Sequence, residues 1–170
     1  AVIAVSGGID SAVSLSLLSK AIGPENIYPL YLPYKDQDMT DAKEVVDWNK
    51  IPEENISEIN IEPMVKEVGS VLKAGNDSFR LGNIMARSRM ICVFDTAKKL
   101  NALVCGTENK SEKYLGYFTR FGDGASDIEP ITHLYKTQVR EMAKVLGLPT
   151  VFLEKYQVLG FGQNKLMNKS

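Results

Sequence analysis

Short apolar runs alternate along the chain with longer stretches in which apolar residues recur every three or four positions. Residues 1–5, Ala-Val-Ile-Ala-Val, are rich in β-branched side chains and short enough for a buried strand. Residues 27–32 and 102–105 repeat that type, and residues 55–61 alternate apolar and polar positions as a half-buried strand does. Between them, residues 12–21, 40–48, 64–72, 79–100 and 134–147 read as helices. Met64, Val65, Val68 and Leu72 fall at helical spacing and predict a core-facing stripe. Trp48 is expected to pack rather than to act. The punctuation agrees with these bounds. Gly23-Pro24 stops the first helix, Pro63 suits a first helical turn, Asp77 or Ser78 can cap the long helix, and Gly147 with Pro149 ends the last one. Pro29 argues for an edge strand or an early strand position. Strand, helix and strand at this spacing predict a right-handed βαβ unit. The fold class is therefore α/β, an open, mainly parallel sheet flanked by helices.

With 170 residues, the chain suffices for one ordinary domain with a sizeable core. Hydrophobic residues make up 44% and charged residues 24%, ordinary values for a soluble globular protein. The formal net charge of −1 gives no general attraction to nucleic acid or to acidic membranes. No apolar run approaches the ~20 residues that span a bilayer, and no signal peptide is visible. Cys92 and Cys105 lie in apolar surroundings without metal-ligand spacing, which fits buried thiols in a reducing compartment, so a cytoplasmic location is expected. The sequence opens inside its first strand, as a piece of a longer chain would.

The first chemistry follows that strand directly. Ser6-Gly7-Gly8-Ile9-Asp10-Ser11 joins strand to helix. Glycines there let backbone N–H groups approach a ligand closely, and the helix N-terminus favours an anion. The stretch is not G-x-x-x-x-G-K-[ST], nor G-x-G-x-x-G. It offers two hydroxyls, no lysine, and the carboxylate of Asp10, which would repel a phosphate unless Mg2+ lay between. A tight turn with Asp10 and Ser11 as helix caps accounts for the same residues.

Further along, Asn83 and Arg87 share one helix face, while Arg89 points roughly the other way. An arginine between Ile84 and Ile91 needs an acidic partner or an anionic ligand. The strand at 102–105 runs into Gly106-Thr107-Glu108-Asn109-Lys110-Ser111-Glu112, at the edge where open α/β sheets bind ligands. There Thr107 is a candidate nucleotide contact and Glu112 a second candidate Mg2+ carboxylate; alone, the stretch also reads as an N-capped helix start. Residues 114–127 combine aromatics, charges and glycines as a site-shaping loop does. His133, the only histidine, has no metal-ligand pattern around it.

The Ser6–Ser11 loop resembles the pyrophosphate loop of the N-type ATP pyrophosphatases, whose members adenylate a carbonyl or carboxylate oxygen. Three further segments narrow the resemblance to the NAD synthetases, ammonia-dependent type: Gly82 to Met90, Gly106 to Glu112, and Gly116-Tyr117-Phe118-Thr119-Arg120-Phe121-Gly122-Asp123-Gly124, with the helix Leu134-Tyr135-Lys136-Thr137-Gln138-Val139-Arg140-Glu141. It covers residues 1–155. The resemblance implies an adenine nucleotide alpha hydrolase-like, Rossmann-like fold and a C–N ligase. It implies that deamido-NAD+ is adenylated by ATP with release of pyrophosphate, and that ammonia displaces AMP to give NAD+. By position it implies that Ser6, Gly7, Gly8, Ile9, Asp10, Ser11, Thr107 and Lys136 hold ATP. Asp10 and Glu112 would hold Mg2+, Asp10 and Lys136 would act in catalysis, and Arg87, Arg120 and Asp127 would contact deamido-NAD+. The family has lysine at the position of Arg120, which keeps the charge and changes its geometry. A homodimer with the dinucleotide site at its interface is implied too, without nucleic acid or membrane partners.

Past Lys155 the resemblance stops. The family continues there with a Pro-Ser/Thr-Ala segment and an acidic loop, so residues 156–170 are expected to be a C-terminal segment, the remnant of an incomplete one. Two alternatives remain open: the synthetase portion of a glutamine-dependent enzyme, and a tRNA-modifying or GMP synthetase-like relative with the same loop. The lack of a basic stripe speaks against tRNA.

Overall fold

The computed structural model describes residues 1–153. Four strands form one parallel sheet: β1 (Val2–Ala4), β2 (Tyr28–Tyr31), β3 (Ser57–Glu58) and β4 (Val104–Cys105), in the spatial order β3-β2-β1-β4. The helices are α1 (Ile9–Ile22), α2 (Thr40–Trp48), α3 (Glu62–Val71), α4 (Ser78–Leu100), α5 (Lys110–Leu115) and α6 (Lys136–Leu146).

Alternation along the strands builds two cores, one on each face. Ile3, Val5, Tyr31 and Cys105 join α1, α2 and α6 on one side. Val2, Leu30, Leu32 and Val104 join α3 and α4 on the other. A strand covered on both faces must be apolar at every position, which is why β1 shows no polar residue. The α/β class and the parallel sheet expected from the pattern are what the chain forms.

The strand order carries the functional consequence. The chain leaves β1 through α1 to β2 on one side, continues outward to β3, and returns to place β4 on the other side of β1. Connections from β1 and β4 therefore diverge, leaving a crevice between their carboxyl ends. The loops that open there are Ser6–Ser11 and Gly106–Asn109.

Of the two placements that Pro29 allowed, the early strand position is the one found: it is the second residue of β2, which lies between β1 and β3. It is tolerated because β3 pairs only from Leu30 onward, so no ladder partner on that side requires its missing N–H. One expectation needs correction: the α3 stripe is narrower than its spacing suggests. Val65 is buried and Met64 packs against the core, but Val68 is 37% exposed and Leu72 54% exposed. Leu72 closes the helix as its C-cap, where the 3.6-residue period no longer directs side chains. Trp48 also reaches the surface at the end of α2, 37% exposed. The other boundaries follow the sequence signals. Asp77 caps α4 by accepting from the Phe79 and Arg80 N–H groups, and Gly147 ends α6 in the left-handed conformation. Cys92 and Cys105 are buried free thiols, and burial pushes Cys105 up to about 12. The segment at 156–170 lies outside the described residues.

Candidate active site

The β1–α1 loop is shaped by backbone need. Gly7 has φ +78°, and a Cβ there would lie 2.7 Å from Asp41 Cβ and 2.9 Å from the Ala42 nitrogen. The loop is thus pressed against the start of α2, and only glycine meets both demands. Ser6 Oγ accepts from the Gly8 N–H at 3.3 Å and lies 3.3 Å from Ser11 Oγ. The Ser11 hydroxyl donates to the Gly8 carbonyl at 2.9 Å. Gly8 is the N-cap of α1, so neither Asp10 nor Ser11 serves as its cap; both lie inside its first turn. Ile9 is buried beneath the loop as an anchor.

Asp10 is the meeting point of three distant segments. Its Oδ1 accepts from Asn109 Nδ2 at 3.1 Å, and its Oδ2 is bonded to the ammonium of Lys136. The same ammonium lies 3.9 Å from Glu112 Oε1. Glu112 and Asn109 form a capping box at the start of α5, each accepting from the other's backbone N–H. The Lys136 N–H donates to Ser111 Oγ and the Lys110 N–H to the Leu134 carbonyl, which stitches the starts of α5 and α6 together. Burial, and then the charge of Asp10, raise the Glu112 carboxyl above its ordinary value against the pull of Lys136. Lys136 thus stands, as a cation, between the two carboxylates proposed for a divalent ion.

Thr107 is half-buried in the turn after β4, beside buried Glu108 and Asn109. Gly106 permits this turn, since a Cβ there would meet Ser126 Oγ at 2.6 Å. On the α4 side, Arg87 is exposed and its Nε donates to the Arg120 carbonyl at 3.2 Å. No salt bridge joins Arg87 to a carboxylate among the described residues. Asn83 Oδ1 accepts from the Thr119 hydroxyl, so Asn83 and Arg87 both address the 116–127 loop. Arg89, as its spacing predicts, turns the other way to the Leu32 carbonyl and Gln37. Arg120 is exposed, its guanidinium 5.6 Å from the Phe121 ring centroid. Asp127 sits apart: its Oδ2 accepts from the Val104 N–H at 2.8 Å, at the start of β4. His133 is exposed.

Asn109 and Glu108 are the site neighbours that the sequence reading passed over. Asn109 was legible, because Asn followed three residues later by Glu is a capping-box signature. Glu108 gives no local signal, since its burial depends on the 116–127 loop.

The model of the NAD synthase family matches residues 1–158. The chain belongs to that family. Among curated relatives, the NH(3)-dependent NAD(+) synthetase of Thermococcus kodakarensis is 46% identical over 165 residues, covering 96% of this chain and 64% of that protein. The corresponding synthetase of Thermoplasma acidophilum is 41% identical, covering 94% and 66%. Among solved structures, the NH3-dependent NAD synthetase of Campylobacter jejuni superposes with a TM-score of 0.81 at 34% identity, covering 91% of this chain and 67% of that one. NMN synthetase from Francisella tularensis gives the same TM-score at 37% identity, covering 90% and 63%. The chain therefore spans somewhat under two thirds of the length of the curated relatives named.

Proposed function

We propose that this chain carries the nucleotide-binding and catalytic part of an ATP-dependent, ammonia-dependent NAD+ synthetase, a C–N ligase. One observation supports this most: Asp10, Lys136, Glu112 and Asn109, from three separate segments, converge at the switch point beside the Ser6–Ser11 loop. A carboxylate is a poor acyl donor because its leaving group would be oxide. Adenylation of deamido-NAD+ replaces that leaving group with AMP, and ammonia then attacks the carbonyl carbon.

In this reading the Gly8 to Ser11 backbone and the Ser6 and Ser11 hydroxyls cradle the phosphates of ATP, with Ile9 anchoring the turn. Thr107 contacts the nucleotide. Lys136 leaves Asp10 when ATP arrives and stabilises the charge that grows on the α-phosphate. Two hard carboxylates already balanced by a cation fit Mg2+, which takes one or two carboxylates and completes its shell with substrate oxygens and water. No cluster of three or more acidic, histidine or cysteine ligands occurs among the described residues. Asp10 and Glu112 would hold the ion, which when bound neutralises phosphate charge. Arg87 and Arg120 would bind the anionic dinucleotide. Asp127 would do so through the oxygen not used by Val104.

The exposed face of α4 supports a homodimer with the dinucleotide at its interface. Arg87, Ile91 and Phe94 share that face, and Ile91 is 59% exposed. No helix among the described residues is long and apolar enough to cross a membrane. A cytoplasmic place is proposed from the buried free thiols. Curated relatives at 41–46% identity are named NH(3)-dependent, which favours free ammonia over a glutamine-dependent partner domain.

The test is AMP formation with ATP, Mg2+ and ammonium, with and without deamido-NAD+. AMP and NAD+ appearing together, only with the dinucleotide, is the expected result. Preference for the corresponding mononucleotide, as the name of the Francisella relative suggests for that protein, would reassign the acceptor. Absence of AMP from folded, ATP-binding protein would overturn the ligase reading.

A further inference from the structure

The Glu108 side chain plays no part in the site as described above, yet it is buried with an unanswered oxygen. The residue is 5% exposed, and its Oε1 has no hydrogen-bond partner among the described residues. A buried carboxylate oxygen left without a donor is costly, and a catalytic role or a bound small cation is among the explanations for one. The oxygen lies under Gly124: a Cβ there would sit 3.1 Å from Glu108 Oε1 and 2.8 Å from Phe118 Cδ2. Glycine thus keeps a cradle over the carboxyl that any side chain would fill.

The location is between the two substrate regions. Glu108 stands between Thr107 and Asn109, the latter bonded to Asp10. The loop above it is pinned by the Asp123 carboxylate, which accepts from the Thr119 N–H at 2.8 Å, and by Thr119 bonding Asn83 one turn from Arg87. The carboxyl therefore sits where the nucleotide side and the dinucleotide side meet.

The field there is negative. Burial first, then the carboxylates of Asp123, Glu129 and Glu112, push Glu108 up to about 7, with Lys113 acting the other way. Lys113 is already committed to Glu129 at 2.5 Å and to the Thr132 hydroxyl at 3.0 Å. Ser126 also donates to Glu129. Among the described residues, Glu108 Oε1 has no donor. A single free carboxylate oxygen in a negative, enclosed place suits a small monovalent cation that carries its own N–H donors.

We propose that the Glu108 carboxylate binds the ammonium ion and takes its first proton, which makes it a catalytic residue of the amide-forming step. This rests on the synthetase reading above. Ammonium, held through an N–H to Oε1, transfers that proton to the carboxylate and becomes ammonia. The nitrogen lone pair attacks the activated carbonyl carbon and a C–N bond forms. The C–O bond to AMP then breaks and AMP leaves with the electron pair. The nitrogen sheds a second proton to water, and Glu108 returns its own to solvent before the next turnover. A base that titrates near the working pH is well matched to such a task.

The experiment compares two nucleophiles on the same protein. Ammonium must lose a proton before it attacks, whereas hydroxylamine is already neutral at neutral pH. In Glu108→Gln, kcat/KM for ammonium is expected to fall at least tenfold relative to kcat/KM for hydroxylamine, with Glu108→Asp recovering part of the ratio. An unchanged ratio, whether through equal loss with both nucleophiles or through no loss with either, would overturn the proposal. Should the Gln variant not fold, the wild type decides. Its kcat/KM for total ammonium is expected to rise with pH and level off above about 7, the value to which Glu108 is pushed. A continued rise through that range would mean that free ammonia binds directly and that Glu108 is not its base. A wild type that makes AMP without consuming either nucleophile, or makes none, would instead strike at the synthetase reading.

Discussion

Asp10 answers two distant groups at once, accepting from Asn109 with one oxygen and holding Lys136 with the other. A carboxylate so placed would be a liability beside phosphates without a compensating cation, and Lys136 supplies one. Asp10→Asn keeps the shape and removes the charge, so AMP formation should fall at least ~100-fold. Lys136→Gln should cost a similar factor. Because the two act on each other, the double variant should fall little further than the worse single one. Additive losses in initial-rate measurements would show that they act apart. Arg87 is exposed, donates to the Arg120 backbone carbonyl, and shares its face with Asn83. Arg87→Ala should raise KM for deamido-NAD+ by ~10-fold or more with KM for ATP nearly unchanged. Equal rises in both would make Arg87 a structural residue.

At the scale of elements, glycine tells which turns are built for a purpose. Gly7 combines positive φ with a 2.7 Å approach to Asp41 Cβ, whereas Gly82 lies inside α4 with nothing among the described residues within 4 Å of its would-be Cβ. Gly7→Ala should therefore destabilise the fold by ~1–3 kcal/mol. Gly82→Ala should stabilise it by about 0.5–1 kcal/mol, because helical alanine loses less backbone entropy on folding. Thermal unfolding of both variants checks the pair, and a stable Gly7→Ala protein would contradict the packing of the loop on α2. Elements were largely legible because strand alternation, caps and helix stops act over a few residues. Asp77, Gly147 and the buried run of β1 are cases of this. The α3 stripe misled, and Pro29 left two placements open, because the coverage of α3 and the position of β2 are set by other elements, which local spacing does not contain.

For the whole molecule, the strand order β3-β2-β1-β4 creates the crevice, and α4 carries from it an exposed face bearing Arg87, Ile91 and Phe94. If that face is the dimer interface, Ile91→Glu should shift sedimentation from dimer to monomer and weaken dinucleotide binding together, leaving ATP binding in place. A dimer that persists with normal affinity would place the interface elsewhere.

The sequence by itself determined the glycine turn between β1 and α1, the capped helix start after β4, the parallel α/β class, and the family, since each depends on residue type at short, fixed spacing. Only the tertiary structure decided that Lys136, 126 positions from Asp10, stands between that residue and Glu112. It alone put the carboxyl of Glu108 under Gly124. A chain pattern states what each segment can bury or bond locally. Charges brought together across the sheet are fixed by which strands lie side by side, a choice made by the packing of all the helices at once.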